Sequence, residues 1–276
     1  MNTNIKQAAK QVATSPLIEY LTRLGYVVRG LIYGVIGALA LEMAVGKNAN
    51  RADQSGAISA LSTTPLGEFL LYVILVGLLG YAVWGLIRAV LDPLHKGTHP
   101  KGIIERVGYA VSGISYLMLA VSTYNLLAGA QSTQSSGEQT KETTASILSK
   151  SWGVWLIGVA AIAVMGAGIV QIARGLSRDF EKQFQPYTLN RSQRKWINRL
   201  GRFGTIARGI VLGLVGLFLF LAAYNHDPNQ AQSIDGVFTD MLGQPYGPWL
   251  VGIVAFGLVA FGIYSAVSGR WLRLKR

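Results

Sequence analysis

Residues 23–37 read RLGYVVRGLIYGVIG, and variants of this stretch open two later segments of the chain. A shift of 179 residues places both arginines and all four glycines of the stretch on identical residues in 202–216. A shift of 83 residues carries Tyr26 and Tyr33 onto Tyr109 and Tyr116. The shared pattern is R-x-G-x-x-x-[RS]-G. Ungapped agreement of this extent is not expected by chance, so the sequence predicts three internal repeats.

Each copy of the pattern begins a long apolar run, and a second apolar run follows it. About 20 mostly apolar residues are enough to cross the ~30 Å hydrocarbon core of a bilayer. These runs are apolar all round, whereas a helix of a soluble bundle carries one apolar stripe and one charged face. Only 14% of the residues are charged, against about 25% in a typical soluble domain. The predicted spans are residues 25–45, 67–91, 107–128, 152–175, 204–224 and 247–269.

The fold class follows from these two patterns. We predict an all-α membrane protein whose six transmembrane helices form three parallel two-helix repeats, at residues 23–92, 103–176 and 204–272. Parallel repeats with an even number of spans are related by an axis along the membrane normal, so we expect pseudo-three-fold symmetry. The second helices of the repeats are aligned by a glycine and an arginine eight residues apart: Gly80 and Arg88, Gly166 and Arg174, Gly262 and Arg270.

Positive charge is distributed unevenly between the two ends of the predicted helices. The end that carries both termini has 17 Lys and Arg residues, and the opposite segments have four. Lys and Arg are retained on the cytoplasmic side, so both termini are predicted to be cytoplasmic. This side includes the N-terminal segment 1–22 and the basic linker 177–203. In that linker Trp196 and Phe203 alternate with arginines, which predicts an amphipathic helix on anionic headgroups.

The segments on the opposite, outer side are rich in turn-forming residues. Residues 56–61 and 234–242 mix apolar and polar side chains, which favours short helices at the membrane interface. Residues 132–141 are Ser, Thr, Gln, Gly, Glu and Lys. We expect this last stretch to be flexible.

Several classes of function lack their sequence signature. The chain has no cysteine, which excludes disulfides and thiolate metal sites. His95 and His99 are separated by Gly97 and followed by Pro100, so we interpret them as solvated loop residues and predict no metal site or cofactor. The phosphate-binding, zinc-protease and nucleophile-elbow motifs are absent, and no enzyme is predicted. The positive charge is spread over short segments beside the membrane, and no nucleic acid is expected as a partner.

The repeated unit resembles a known family. After R-x-G-Y-x-x-R-G comes the pattern G-A-x-x-x-L-x-x-x-P-x-G, carried by Gly56, Ala57, Leu61, Pro65 and Gly67. Over roughly residues 20–272 the chain is similar to the bacterial membrane proteins grouped as Domain of Unknown Function 1206. The second copy departs from the pattern, with Ser112 in place of the arginine and no proline before its second helix. The resemblance implies three hairpins in a bacterial plasma (inner) membrane, and no known activity.

Eight arginines are the candidate binding residues. Arg29 and Arg208 lie six residues beyond a boundary arginine, about 9 Å deeper in a helix. A charge inside a span marks a functional-site candidate by default, here a basic pocket for an anionic headgroup or small anion. Two structural alternatives stay open: snorkelling to the headgroups, and pairing with Glu19, Asp92, Glu105 or Asp179. The remaining six arginines mark helix ends, as a positive rim, an orientation signal or lipid contacts: Arg23, Arg88, Arg106, Arg174, Arg202 and Arg270.

Two functions from different classes fit these observations. The first is a membrane component that binds anionic phospholipid or organises partners, and the inner basic residues favour it. The alternative is a channel or transporter for a small solute or anion, suggested by the parallel repeats and by Arg29 and Arg208. The bilayer is the predicted partner, and a homo-oligomer or another membrane protein stays open as a further one. The small-xxx-small glycine rows, such as Gly30, Gly34 and Gly37, predict close helix packing within the chain or at a dimer face.

Overall fold

A computed structural model of the chain describes residues 16–47, 51–92, 97, 99–129, 135–177 and 190–271. Within these ranges the regular structure is helical. A 3-10 turn at Pro228–Gln230 accompanies nine α-helices: α1 (Pro16–Ala44), α2 (Gln54–Ser62), α3 (Gly67–Val90), α4 (Pro100–Leu127), α5 (Ser136–Leu148), α6 (Gly153–Leu176), α7 (Arg191–Tyr224), α8 (Ile234–Leu242) and α9 (Gly247–Trp271). In the described part of the chain six helices, α1, α3, α4, α6, α7 and α9, are long and apolar enough to cross a membrane. This confirms the predicted all-helical class with six candidate spans.

The first helix of each repeat begins well before its predicted span. Helix α1 starts at Pro16, α4 at Pro100 and α7 at Arg191. Pro100 stands at the first position of α4, where its missing N–H costs nothing, and Asn190 forms a capping box with Gln193. Hydropathy therefore marked where the apolar region begins, and the cap marks where helical hydrogen bonding begins. Residues 190–203 of the predicted linker 177–203 are accordingly continuous with α7, and Ser177 ends α6. Residues 178–189 lie outside the described ranges.

The chain divides into two compact units. Unit 1 comprises Met1–Arg29, Leu61–Ser132 and Ala266–Arg276, and unit 2 comprises Gly30–Ala60 and Thr133–Ser265. Helices α1 and α9 contribute residues to both.

In unit 1, glycines bring helix backbones together. A Cβ added to Gly85 of α3 would lie 3.0 Å from the Cα of Gly113 in α4. A Cβ added to Gly269 of α9 would lie 2.7 Å from the carbonyl oxygen of Arg23 in α1. Contacts this short leave no room for a side chain, which agrees with the predicted role of the glycines in close packing.

Unit 2 contains two helix pairs with the same geometry. A Cβ on Gly168 of α6 would lie 2.7 Å from the backbone oxygen of Gly209 and 2.7 Å from the nitrogen of Gly213, both in α7. A Cβ on Gly262 of α9 would lie 2.6 Å from the oxygen of Gly30 and 2.7 Å from the nitrogen of Gly34 in α1. Gly262 therefore corresponds to Gly168.

This correspondence corrects the predicted alignment of the second helices. A Cβ on Gly209 would face the oxygen of Gly168 and the nitrogen of Ile172, just as one on Gly113 would face the oxygen of Ala82 and the nitrogen of Leu86. The equivalent residues are thus Ala82, Gly168 and Gly262. Counting six residues onward gives Arg88, Arg174 and Ser268 as equivalents. The match of Gly262 and Arg270 to the other two copies was wrong by two residues, because backbone contact rather than residue identity sets the register.

The segments inside each repeat, between its two long helices, fold into the short helices α2, α5 and α8. Helices α2 and α8 confirm the expected short helices. The expectation of flexibility for 132–141 was wrong from residue 135 onward. There Ser135 and Glu138 form a capping box that starts α5, and the Ser135 backbone N–H lowers the pKa of the Glu138 carboxyl. Residues 130–134 lie outside the described ranges.

Candidate anion-binding sites at Arg88 and Arg208

Arg88 lies in the last turn of α3 and is surrounded by aromatic rings of unit 1. Its guanidinium carbon lies 4.4 Å from the ring centroid of Tyr109, 5.6 Å from that of Trp84 and 5.8 Å from that of Tyr81. Tyr81 and Trp84 precede Arg88 by seven and four residues, so they share its face of the helix. Tyr109 comes from α4, which the approach of Gly85 to Gly113 holds close. We call these three rings and Arg88 the Arg88 cage.

The Arg88 cage stabilises a cation without neutralising it. The Nε atom of Arg88 is buried and has no hydrogen-bond acceptor among the described residues. Within the same ranges no carboxylate forms an ion pair with Arg88. Cation–π contacts contribute about 0.5–2 kcal/mol each, and an arginine in the last turn of a span costs less than one at its centre because it lies near the interface. A hydrogen-bond acceptor on a bound ligand would satisfy Arg88 Nε, because the aromatic rings of the cage supply no such acceptor.

The end of α3 beside the cage carries a second arginine. Arg106 of α4 donates from Nε to the carbonyl oxygen of Ala89 at 2.8 Å and from Nη2 to that of Val90 at 3.0 Å. These carbonyls end α3 and would otherwise repel an anion. Asp92, one of the acids considered as a partner, accepts from the backbone N–H of Gly97 at 2.8 Å. Two arginines, Arg88 and Arg106, therefore lie at this end of α3, and the carboxylates of Asp92 and Glu105 lie close to them in sequence.

Arg208 of α7 has a different environment in unit 2. Its Nε donates to the hydroxyl of Tyr33 and its Nη1 to the amide oxygen of Gln171, both at 2.9 Å. Its guanidinium carbon lies 5.1 Å from the ring centroid of Tyr33 and 5.2 Å from that of Phe261. All of these partners are neutral, and no carboxylate in the described part of the chain pairs with Arg208. The hydrogen bonds hold the arginine in place and leave its charge uncompensated.

Arg208 lies over both rings of an aromatic pair, and Arg88 lies over one ring of an equivalent pair. Tyr33 and Phe261 meet edge to face with ring centroids 5.0 Å apart in unit 2, and Tyr116 and Tyr81 meet at 4.5 Å in unit 1. Tyr116 is the repeat equivalent of Tyr33, and the corrected register makes Tyr81 the equivalent of Phe261. The third such position, between α6 and α7, has Ala167 and Leu212 and no ring pair. The second helix of the second copy therefore has Ala167 where the other two copies have the aromatic residues Tyr81 and Phe261.

The other predicted residues lie in several settings. Arg202 repeats the capping by Arg106, donating to the carbonyl oxygens of Gly175 and Leu176 at 2.9 and 3.1 Å. Arg174 is exposed, and Arg23 is half-buried. Arg29 is half-buried and lies over the ring of Tyr26 at 5.9 Å. The side chain of Arg270, like those of Glu19 and Asp179, lies outside the described residues.

The sequence singled out Arg208 together with Arg29, gave Arg88 only as one of six helix-end arginines, and did not indicate the partners of Arg88 and Arg208. Tyr33 and Tyr116 did carry a signal, because they matched under the repeat shift. Gln171, Phe261 and Trp84 carried none, since a single amide or ring in an apolar run is typical of ordinary helix packing.

Comparison with known proteins adds the family. The sequence profile described as Domain of Unknown Function (DUF1206) matches three times, at residues 24–92, 107–178 and 203–272. The chain belongs to this family. It is similar to the "Uncharacterized protein YxxB" of Bacillus subtilis (strain 168), with 33% identity over 258 residues, covering 93% of this chain and 92% of the relative. No solved structure matches. The predicted family and the three internal repeats are confirmed.

Proposed function

We propose that the chain is a non-catalytic membrane component that binds an anionic phospholipid, with the headgroup phosphate at the Arg88 cage. The buried Nε of Arg88, which no described residue accepts from, carries this proposal. A phosphate offers oxygens in the geometry that an arginine fork binds best. Tyr and Trp side chains are common at the headgroup level of membranes.

The surface beside the cage suits acyl chains. Leu79 and Val83 of α3 and Val111 and Ile114 of α4 are exposed, and they lie on the side of Arg88 and Tyr109 that faces the middle of the two helices. A phospholipid with its phosphate at Arg88 would lay its chains along these side chains. The capping of the α3 carbonyls by Arg106 adds a second positive charge within the same helix end. A zwitterionic lipid would bring its own cation close to Arg88 and Arg106, so the proposal favours lipids with net negative headgroups.

Measurement of bound lipid in the purified protein tests this proposal. The repeat itself supplies a matched control, since Arg174 is the equivalent of Arg88 but is exposed. The equivalents of Tyr81 and Trp84 beside Arg174 are Ala167 and Val170, so the control has no such rings. In native mass spectrometry we expect Arg88→Gln to reduce retention of phosphatidylglycerol by about tenfold or more, as the loss of charged hydrogen bonds implies.

The expected pattern has two parts. Wild-type protein should retain phosphatidylglycerol over phosphatidylcholine, and Arg174→Gln should behave as the wild type. Equal loss in the Arg88 and Arg174 variants would mean that any inner-end arginine serves, and the cage proposal would be rejected. Retention independent of headgroup charge would reject it as well.

The arrangement in the membrane forms part of the proposal. We infer that both termini face the cytoplasm of a bacterial cell, supported by the excess of Lys and Arg at that end. The proposed three-fold arrangement is supported by the repeated glycine contacts of α3 with α4, α6 with α7 and α9 with α1.

Passage of a small anion is a second candidate function, and Arg208 favours it. Its charge is held by Tyr33 and Gln171 without a compensating carboxylate among the described residues. Transport sites in membranes use such internal charges. Reconstituted vesicles should then show anion flux that Arg208→Gln abolishes and Arg174→Gln does not. Absence of flux across a broad panel of anions would leave lipid binding as the function.

A further inference from the structure

Arg208 joins helices of unit 2 through neutral partners. Its Nε donates to the hydroxyl of Tyr33 in α1 and its Nη1 to the side-chain oxygen of Gln171 in α6, both at 2.9 Å. A guanidinium only donates, so the atom of Gln171 that faces it is the amide oxygen. These residues and the ring of Phe261 in α9 all belong to unit 2. The cluster is therefore built within one compact unit.

The two hydrogen bonds leave other donors of the cluster without an acceptor. An arginine has five N–H donors. Tyr33 and Gln171 take two of them, and the other three have no acceptor in the described part of the chain. Because the Tyr33 oxygen accepts from Arg208, the hydrogen of its hydroxyl points elsewhere, and the NH2 group of Gln171 is left in the same way. One positive charge is thus surrounded by further hydrogen-bond donors.

The two aromatic rings lie on one side of the guanidinium. Its carbon is 5.1 Å from the ring centroid of Tyr33 and 5.2 Å from that of Phe261, and the two centroids are 5.0 Å apart. Such distances form a nearly equilateral triangle, so neither ring covers the opposite side of the guanidinium. Arg208 and Gln171 are half-buried, whereas both rings are buried. A ligand can therefore reach the remaining N–H groups from the side without these rings.

Close backbone contacts hold the cluster in position. A Cβ added to Gly209, the residue after Arg208, would lie 3.0 Å from the backbone nitrogen of Ile172 in α6. A Cβ added to Gly204, one turn before Arg208, would overlap the backbone of Phe261 in α9. Helices that approach so closely leave the side chains between them little freedom. A site arranged in advance avoids much of the cost of ordering side chains when a ligand binds.

The charge and depth of the cluster indicate the class of ligand. Because the partners of Arg208 are neutral, a monoanion neutralises the site, whereas a dianion would leave a net negative charge in a place of low dielectric. A carboxylate carries one charge at neutral pH and presents two oxygens to the parallel N–H groups of an arginine. Arg202, which caps the end of α6, precedes Arg208 by six residues, so Arg208 lies about 9 Å deeper. A phospholipid phosphate would have to sink by that distance from the headgroup level.

We propose that Arg208, Tyr33 and Gln171 form a binding site for the carboxylate of an organic monoacid. Arg208 supplies the charge, and the Tyr33 hydroxyl and the Gln171 amide are further donors. The inference rests on Arg208 as an anion site, the basis of the second candidate function, and names the class of anion. It does not require passage, since a carboxylate that binds without crossing the membrane satisfies it. It is also independent of lipid binding at Arg88.

Fluorine NMR of trifluoroacetate with the purified full-length protein in detergent tests this site, with protein-free micelles as the background. At constant ionic strength, wild-type protein should broaden the trifluoroacetate signal. Acetate should reverse the broadening about tenfold more effectively than sulfate or chloride, which lack the match in charge or in shape. Octanoate distinguishes two sources of the carboxylate. Competition about tenfold stronger than that of acetate indicates an acid with an alkyl tail, and equal or weaker competition indicates a small soluble acid.

Variants assign the binding residues. Arg208→Gln should weaken binding by about tenfold or more, because it removes the charged donor. Tyr33→Phe keeps the ring beside Arg208 and removes one hydroxyl donor, so binding should weaken by about three- to tenfold. Two controls should stay within about twofold of the wild type, because they lie outside the cluster. Tyr116→Phe makes the same change at the repeat equivalent of Tyr33, and Arg174→Gln removes an exposed arginine one turn from Gln171.

Four results would overturn the proposal. The first is a signal that wild-type protein does not broaden, and the second is competition by sulfate or chloride as strong as that by acetate. The third is equal weakening by Tyr116→Phe and Tyr33→Phe. The fourth is unchanged binding in Tyr33→Phe, which is the deciding variant if Arg208→Gln fails to fold. None of these results affects the Arg88 cage, because Tyr33→Phe should retain phosphatidylglycerol as the wild type does.

Discussion

Substitution of two glycines in one helix separates packing from helix propensity. A Cβ at Gly209 would lie 2.8 Å from the carbonyl oxygen of Gly168, 2.8 Å from Ile172 Cγ1 and 3.0 Å from the nitrogen of Ile172. A Cβ at Gly213, one turn further along α7, would have no atom within 4 Å. Both changes to alanine bring the same gain in helix propensity, about 1 kcal/mol in water. The difference between the two variants therefore reports the contact alone.

The magnitude follows from the distances. Carbon atoms in optimal contact lie about 3.5–4.0 Å apart, so α6 and α7 would have to separate by roughly 0.5–1 Å. A gap of that size forfeits about a quarter to a half of each lost contact, and overpacking typically costs about 1–3 kcal/mol. We expect Gly209→Ala to be less stable than Gly213→Ala by about 1–3 kcal/mol. At about 2–4 °C per kcal/mol for a chain of this size, the melting temperatures should differ by about 2–12 °C.

The assay is the fraction of monodisperse protein that survives heating in detergent, followed by fluorescence size-exclusion chromatography. Gly213→Ala should match or exceed the wild type. Equal melting temperatures for the two variants, or a lower one for Gly213→Ala, would refute the close packing of α6 and α7 at Gly209.

Three further predictions concern a helix end, the orientation and a buried acid. Arg106→Gln removes two hydrogen bonds to the end of α3. At this half-exposed position we expect the free energy of unfolding to fall by about 1 kcal/mol, measured by a thermal melt. A variant as stable as the wild type would argue against capping of α3 by Arg106. Because the chain has no cysteine, Gln139→Cys should react with an impermeant maleimide in intact cells and Arg194→Cys only after permeabilisation; the reverse pattern would invert the topology. Burial raises the pKa of Asp53 in the fold, so the folded protein binds more protons there than the unfolded chain. Stability should therefore fall as pH rises from the ordinary range of an aspartate through the raised pKa, and Asp53→Asn should flatten that fall.

The helices and the arginines differed in how far the sequence could predict them. Uncharged apolar runs of sufficient length predicted all six candidate spans, because the hydrophobic requirement of a bilayer is local. Helices α1, α4 and α7 begin before the predicted spans, since hydropathy does not report where helical hydrogen bonding begins. Arg208 was selected because a charge in an apolar run is conspicuous. Its partners Tyr33, Gln171 and Phe261 belong to three other helices and could not be chosen from the sequence.

By itself, the sequence determined that six segments are long and apolar enough to cross a bilayer, that the chain is helical, and that a two-helix unit is repeated. These properties depend on the composition of neighbouring residues and on their spacing, and both can be read directly from the amino-acid sequence. Tertiary structure decided the register of α9, in which Ser268 rather than Arg270 corresponds to Arg88. It also decided that Asp53 is buried and that Arg88 faces three rings. Such contacts depend on the rotation and depth of each helix against its neighbours, and those are fixed by glycine backbones meeting between segments far apart in the chain.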